Sequence, residues 1–65
     1  MKILVNGDWR DVSANLLALA LQELGYRDGA FATAVNGTVV PSSARAQAIL
    51  SEGDRVEVLA PMQGG

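Results

Sequence analysis

The sequence contains neither cysteine nor histidine, which removes most of the usual routes to chemistry at neutral pH. Without cysteine there can be no disulfide, no zinc–thiolate site and no iron–sulfur ligation. Without a histidine or a thiolate, the serine and threonine hydroxyls have no evident activating base. An enzyme that acts alone would depend on a single Asp or Glu, and no motif supports one.

Basic residues and long apolar runs are also scarce. The five basic residues are scattered along the chain and the net charge is −2, whereas nucleic-acid binding needs clustered Lys and Arg. No apolar run approaches the length that spans a bilayer, and the N-terminus lacks the apolar region of a signal peptide. We therefore expect a cytoplasmic protein with neither nucleic-acid nor membrane partners.

The short length makes hydrophobic content decisive. A chain of 65 residues forms one domain, and such a domain buries only about 60% of its unfolded surface. With no disulfide available, the core must come from the 49% of residues that are hydrophobic, and net stability is expected to be small. We predict one domain over residues 1–61 and a flexible tail over residues 62–65.

The first part of the chain predicts a β-hairpin. Strands over residues 2–5 and 8–12 flank Asn6-Gly7, a pair in which both positions tolerate a positive φ. Within the first strand, Leu4 points to the opposite face from its two neighbours. Trp9 either closes the rim of the core or lies against Leu4 on the outer face, and we favour packing over recognition.

A helix is predicted over residues 15–24. Ser13 is a good N-cap residue, and Gly25 stands where a helix-ending glycine belongs. Apolar residues recur at helical spacing, so this face is expected in the core. They are Leu17, Ala20, Leu21 and Leu24.

The second part of the chain predicts three further strands. Asn36-Gly37 joins strands over residues 30–36 and 38–40, the second ended by Pro41. The last strand is expected over residues 55–60, with Val56 and Val58 on one face.

Between these strands we predict a short helical turn within residues 42–50, capped by Ser42 or Ser43, with Ile49 and Leu50 turned inward. A tight turn over residues 51–54 follows. The order of elements predicts an α+β fold in which a mixed sheet wraps one main helix, with the last strand central, beside the first and parallel to it.

The chain ends in two glycines, Gly64 and Gly65. Glycine tolerates almost any backbone conformation, so such an end can thread a narrow channel, and the five residues from Pro61 extend about 17 Å. The ionised α-carboxylate can attack an activated phosphate. The sequence alone leaves two interpretations, an inert frayed terminus or a reactive carboxylate at Gly65.

Several short motifs occur in a characteristic order over essentially the whole chain. They are Met1-Lys2-Ile3 with Asn6-Gly7, Ala34-Val35-Asn36-Gly37 followed by Val40-Pro41, Glu52-Gly53-Asp54-Arg55-Val56-Glu57, and the terminal Gly64-Gly65. Together they resemble the small β-grasp, ubiquitin-like sulfur carriers, most of all the ThiS family of thiamine thiazole biosynthesis. That family often has a basic residue just after the proline and an aromatic a few residues on. Here Ser42 and Arg45 stand there, which puts the docking details in that region in question.

The resemblance implies a carrier modified by partner enzymes. A ThiF-like adenylyltransferase would use ATP and Mg to adenylate Gly65, and persulfide sulfur from a cysteine desulfurase would displace AMP. The resulting thiocarboxylate would donate its sulfur to thiazole synthase. The chain itself would hold no cofactor, no metal and no catalytic residue.

The same resemblance assigns roles to other residues of the sequence. Tail access would depend on Gly64, Gln63 and Met62. The exposed sheet face next to the tail would dock partners, with apolar contacts from Leu59 and Leu4 and charge from Glu57 and Asp54.

Two alternatives stay open beside this hypothesis. One is a carrier like the small subunit of molybdopterin synthase, although those chains tend to be longer and often end Pro-Pro-Val-Ser-Gly-Gly rather than Pro-Met-Gln-Gly-Gly. The other is a non-covalent β-grasp binding module, which would tolerate the loss of Gly65.

Overall fold

The computed structural model describes residues 1–26 and 31–59, which form a mixed sheet packed on one main helix. Its elements are β1 (Lys2–Val5), β2 (Asp8–Asp11), α1 (Leu17–Glu23), β3 (Ala32–Val35), β4 (Thr38–Val40), a 3₁₀ helix (Ser42–Ala44) and β5 (Arg55–Leu59). The strand order is β2-β1-β5-β3-β4, with β5 parallel to β1 and the other pairs antiparallel. The predicted α+β architecture, including the central last strand, is confirmed.

Strand boundaries agree with the sequence pattern to within a residue or two where both can be compared. β2 ends at Asp11, one residue before the predicted end. The expected first residue of β3, Ala30, and the expected last residue of β5, Ala60, lie outside the described residues. The predicted boundary between domain and tail also lies there and stays a prediction.

The core lies between the inner face of the sheet and α1. Alternation along each strand sends every second side chain inward, and the helix contributes one apolar face. The buried apolar side chains are Ile3, Val5, Val12, Leu17, Ala20, Leu21, Leu50, Val56 and Val58. The predicted inward positions of β1, α1 and β5 are therefore confirmed, with Leu24 packed against the edge of this cluster.

The start of α1 differs from the prediction. The helix begins at Leu17 rather than Asn15, and its N-cap residue, Leu16, makes no side-chain capping bond, so the cap predicted at Ser13 is wrong. The residues before the helix are extended because they pair with the segment ahead of β5. There the Leu50 N–H donates to the Asn15 carbonyl at 2.7 Å.

The end of α1 is as predicted. Gly25 has a φ of +95°, a conformation that glycine adopts without steric cost. Its N–H donates to the Gln22 carbonyl at 3.1 Å, and the Tyr26 N–H donates to the Leu21 carbonyl at 2.9 Å. These two bonds form a Schellman motif that satisfies carbonyls at the helix end.

The segment between β4 and β5 contains two corrections. Pro41 is the N-cap of the 3₁₀ helix and no side chain caps it, so the cap predicted at Ser42 or Ser43 is wrong. Leu50 is buried as predicted, but Ile49 is 72% exposed. Ile49 lies in an isolated β-bridge with the residue before α1, and neighbouring residues of an extended chain point to opposite sides.

Among the described residues, no helix has the length and apolar character needed to cross a membrane.

Candidate functional site

The predicted reactive residue, Gly65, and the tail residues Met62, Gln63 and Gly64 lie outside the described residues. Their roles stay predictions. The structure does describe the strand that precedes them, because β5 is the central strand of the sheet and is described up to Leu59.

The end of β5 is paired on both sides. On one side, β3 runs antiparallel to it and Ala32 lies opposite Leu59. On the other side, β1 stops at Val5, and the side-chain amide of Asn6 takes over. The Asn6 Nδ2 donates to the Val58 carbonyl at 3.0 Å, and its Oδ1 accepts from the Val58 N–H at 2.8 Å.

The outer face of the sheet, on the side away from α1, carries exposed apolar residues next to the C-terminal end of β5. Alternation puts Glu57 and Leu59 outward, between the buried valines of β5. Leu59 is 70% exposed and Val39 is 72% exposed. They border a shallow groove of about 180 Å³ together with Ala32 and Ala34. The predicted docking residues Leu59 and Glu57 thus lie together at the C-terminal end of β5.

A second apolar area lies across the same face. Leu4 is half-buried and directly opposite Trp9 in the β1–β2 pair. Trp9 is 60% exposed, so of the two predicted placements the one on the outer face, against Leu4, is observed. Arg55 is the cross-strand neighbour of Leu4, and with Glu57 it separates the two apolar areas. We call this surface the open face. It consists of Leu4, Trp9, Ala32, Ala34, Val39, Arg55, Glu57 and Leu59.

The predicted docking residue Asp54 is engaged inside the turn before β5. Its Oδ1 accepts from the Asn36 Nδ2 at 3.0 Å and its Oδ2 from the Ser51 N–H at 2.8 Å. The neighbouring Glu52 carboxylate accepts from the Lys2 N–H at 3.1 Å. These acidic residues therefore shape the turn, and docking by Asp54 stays a prediction.

Arg45, which the sequence placed in a questionable docking region, makes internal contacts instead. Its Nε donates to the Oγ1 of the buried Thr33 at 3.1 Å, and its Nη2 donates to the Phe31 carbonyl. The guanidinium also stacks over the Phe31 ring at 4.3 Å from the centroid. Arg45 thereby holds the beginning of β3, the strand that pairs with the end of β5.

This arginine cluster faces the helix side of the sheet, away from the open face. A cavity of about 360 Å³ lies there, lined by Arg45, Ser42, Gln22 and Tyr26 among others. Sequence reasoning missed this role because neither spacing nor alternation shows which distant strand an arginine will reach.

Glu23 has a pKa below its ordinary value. The main cause is the hydrogen bond from the Ser13 N–H at 2.8 Å, followed by that from the Ala14 N–H at 2.7 Å, with a further bond from the Ser13 hydroxyl at 3.2 Å. These donors favour the ionised form. Through these three bonds the carboxylate fixes the loop before α1.

The described residues also offer no metal centre, since no three acidic side chains within 1–26 and 31–59 are grouped to hold an ion. The described residues thus present an exposed, partly apolar sheet face beside the C-terminal end of β5.

Comparisons with known proteins agree with this arrangement. The family model described as "ThiS family" matches residues 3–65. The crystal structure of a thiamine biosynthesis protein (ThiS) from Geobacter metallireducens is similar, with a TM-score of 0.82 and 29% identity over all of both chains. A protein named thiazole synthase from Paramagnetospirillum magneticum is 38% identical over 66 residues. That match covers 100% of this chain but 20% of the relative, so the chain spans about a fifth of that relative's length.

Proposed function

The chain belongs to the ThiS family, and on that premise we propose that it is a sulfur carrier for the thiazole of thiamine, with Gly65 as the modified residue. The observation that carries the proposal is the family match itself, which extends through the terminal Gly64-Gly65. The described structure supports it by ending the central strand beside an exposed apolar face. The protein is then a co-substrate of other enzymes rather than a catalyst.

In the proposed first step, a ThiF-like adenylyltransferase binds ATP and Mg and presents the nucleotide to the tail. A carboxylate oxygen of Gly65 attacks the α-phosphorus and pyrophosphate leaves, which yields an acyl-adenylate. This activation comes first because a free carboxylate is a poor electrophile. The glycines allow the close approach that an enclosed site requires.

In the second step, the outer sulfur of a persulfide supplied by a cysteine desulfurase attacks the acyl carbon and AMP leaves. A thiol then cleaves the remaining sulfur–sulfur bond, takes up the persulfide's inner sulfur as a disulfide, and frees the thiocarboxylate. That sulfur is largely ionised and nucleophilic, as thiolates are. Thiazole synthase is its proposed acceptor, in line with the name of the relative that is 38% identical to this chain over 66 residues.

The open face is the proposed docking surface for these partners. Leu59 and Leu4 supply apolar contact, and Glu57 supplies charge between them. Apolar residues at the centre of an interface carry most of the binding energy, whereas charges at its rim mainly steer encounter. Asp54 adds charge near this surface, although both its oxygens already accept internal bonds.

The molybdopterin-type carrier is the second candidate, since its chemistry at the terminal glycine would be the same. The described relatives named for thiamine and thiazole favour the first candidate. Supplying the thiocarboxylated protein to purified thiazole synthase and to molybdopterin synthase distinguishes them.

The first test is intact mass with and without iodoacetamide, after incubation with the adenylyltransferase, ATP, Mg and a sulfur source. Exchange of oxygen for sulfur resembles methionine oxidation in mass, so alkylation is needed. Because the chain has no cysteine, rapid labelling at neutral pH should come from a terminal thiocarboxylate and map to Gly65.

The matched control is the variant that lacks Gly65, which should fold normally and give no adduct. Absence of an adduct on the intact chain, with an adenylyltransferase proven active on another carrier, would favour the non-covalent binding module.

A further inference from the structure

β5 is held at its two ends by the same device. The Asn36 side chain grips its start, where Nδ2 donates to the Asp54 Oδ1 at 3.0 Å and Oδ1 accepts from the Arg55 N–H at 2.9 Å. The Asn6 side chain grips its end through the N–H and carbonyl of Val58 at 2.8 and 3.0 Å. Both asparagines belong to Asn-Gly turns and have positive φ values, 49° for Asn6 and 50° for Asn36.

The Asn6 amide acts as an extra residue of β1. The last backbone bond from this side is donated by the Asn6 N–H to the Val56 carbonyl at 3.0 Å. The chain then turns away at Gly7, whose φ is +88°. Val58 presents its peptide group to the same side two residues later. One side-chain amide supplies both the donor and the acceptor that this group needs.

This contact determines up to which residue β5 has a hydrogen-bonding or strand partner on both of its sides. With Asn6 in place, Val58 is paired with β3 on one side and with the amide on the other. Without it, the last two residues of β5 are held by β3 alone.

We infer that Asn6 is a positioning residue, which fixes the end of β5 from which the reactive tail continues. The inference rests on the proposed function, because it matters to transfer only if the tail is presented to a partner. When the end of β5 is fixed, the tail samples fewer conformations before binding. It therefore loses less conformational entropy when it enters an enclosed site, which favours productive binding.

A simpler role for Asn6 would be to favour the turn, since asparagine tolerates a positive φ better than most residues. Replacement by glycine separates the two roles. Glycine adopts positive φ readily, so Asn6→Gly keeps the turn and removes only the amide. Asn36→Gly is the matched control, because it removes two hydrogen bonds at nearly the same φ from the opposite end of β5, and Asp54 keeps its bond from Ser51.

The first measurement is amide hydrogen exchange on the full chain, residue by residue. Asn6→Gly should speed exchange at Val58 by at least about tenfold beyond any global change, and leave Arg55 as in the wild type. Asn36→Gly should do the reverse. Asn6→Asp keeps an acceptor for the Val58 N–H but has no donor for its carbonyl, so its effect should be intermediate.

The second measurement is the rate of adenylation by the ThiF-like enzyme, which is monitored through the release of pyrophosphate. Asn6→Gly should lower kcat/KM about tenfold, or about 1.4 kcal/mol, mainly by raising KM. The kcat/KM of Asn36→Gly should stay within about twofold of the wild type, even if its Tm falls as much as that of Asn6→Gly.

Two results would overturn the inference. One is wild-type exchange at Val58 in Asn6→Gly, and the other is a loss of kcat/KM that follows Tm equally in both glycine variants. Failure of the wild type to be adenylated would instead refute the proposed function, and Val58 exchange would still decide whether Asn6 fixes the end of the paired strand.

Discussion

The two faces of the sheet are built from the same strands but differ in how far their side chains are buried. In β5 the inward Val56 and Val58 are buried, whereas Glu57 and Leu59 between and after them are exposed. In β1, Val5 is buried and Leu4 is only half-buried. The inner face therefore holds the fold together, whereas the open face leaves its apolar side chains exposed, although both faces contain large ones.

The largest expected effect tests the inner side. Leu17 is fully buried, and Leu17→Ala should lower the free energy of unfolding by about 2–5 kcal/mol through cavity formation. Denaturant unfolding measures this loss. Leu19→Ala on the same helix is the control, because Leu19 is 47% exposed and its loss should cost about 0.5 kcal/mol or less. Equal losses would show that the helix face is wrongly assigned.

The second prediction concerns Arg45, which lies on the inner side although it is charged. Arg45→Ala removes the bonds to Thr33 and Phe31 and the stacking on the Phe31 ring, so unfolding should become easier by about 2 kcal/mol. Arg45→Lys should recover only part of this, since an ammonium lacks the planar fork of the guanidinium.

Arg55→Ala on the open face is the matched control for this experiment, with an expected change of about 0.5 kcal/mol or less. Thermal unfolding compares the three variants. If Arg45→Ala and Arg55→Ala melted alike, the contacts of Arg45 with Thr33 and Phe31 would not stabilise the fold.

The third prediction sharpens the contrast within β5. Leu59→Ser should leave Tm nearly unchanged and weaken binding to the adenylyltransferase about tenfold, or about 1.4 kcal/mol. Val58→Ala should do the opposite, with a lower Tm and unchanged affinity of the folded molecules. Calorimetric titration measures both affinities. A loss of affinity that follows Tm in both variants would contradict the division between the two faces.

The smallest expected effect is a pH dependence at the loop before α1. The pKa of Glu23 is lowered by the N–H groups of Ser13 and Ala14, so the unfolded chain binds a proton more readily than the folded one. Its stabilising contribution is present above the unfolded pKa and is lost as the pH falls through the folded pKa.

Glu23→Gln removes this contribution, so the Tm difference between wild type and variant should shrink on going from about pH 7 to about pH 3. Thermal unfolding at several pH values measures it. A difference that stays constant across this range would show that ionised Glu23 does not stabilise the loop.

Much of the fold could be predicted because its signals are local. Alternation predicted the inward valines of β5, and the Asn-Gly pairs predicted both hairpins. The errors at Ser13 and Ile49 share another cause. Their segments pair with each other across more than thirty residues of sequence, as in the bond from the Leu50 N–H to the Asn15 carbonyl, and this pairing overrides capping and periodicity.

The candidate site was predictable in part for the same reason. The alternation of β5 predicts that Glu57 and Leu59 share a face. The hydrogen bonds of Asn6 to Val58 join residues near the two ends of the chain, and no periodic pattern in the sequence predicts them. Likewise, Asp54 looks like a free surface charge in the sequence, and only its two internal bonds show its role in the turn.

The parallel pairing of β1 with β5 also has a mechanical consequence. β1 starts at Lys2 and β5 runs toward the C-terminus, so a pull on the tail against the N-terminus slides the two strands along each other. Their cross-links, such as the Leu4 N–H to Asp54 carbonyl bond at 2.9 Å, then share the load together instead of opening one after another. If a partner pulled on the tail, all of these bonds would oppose the shear between the two strands at once.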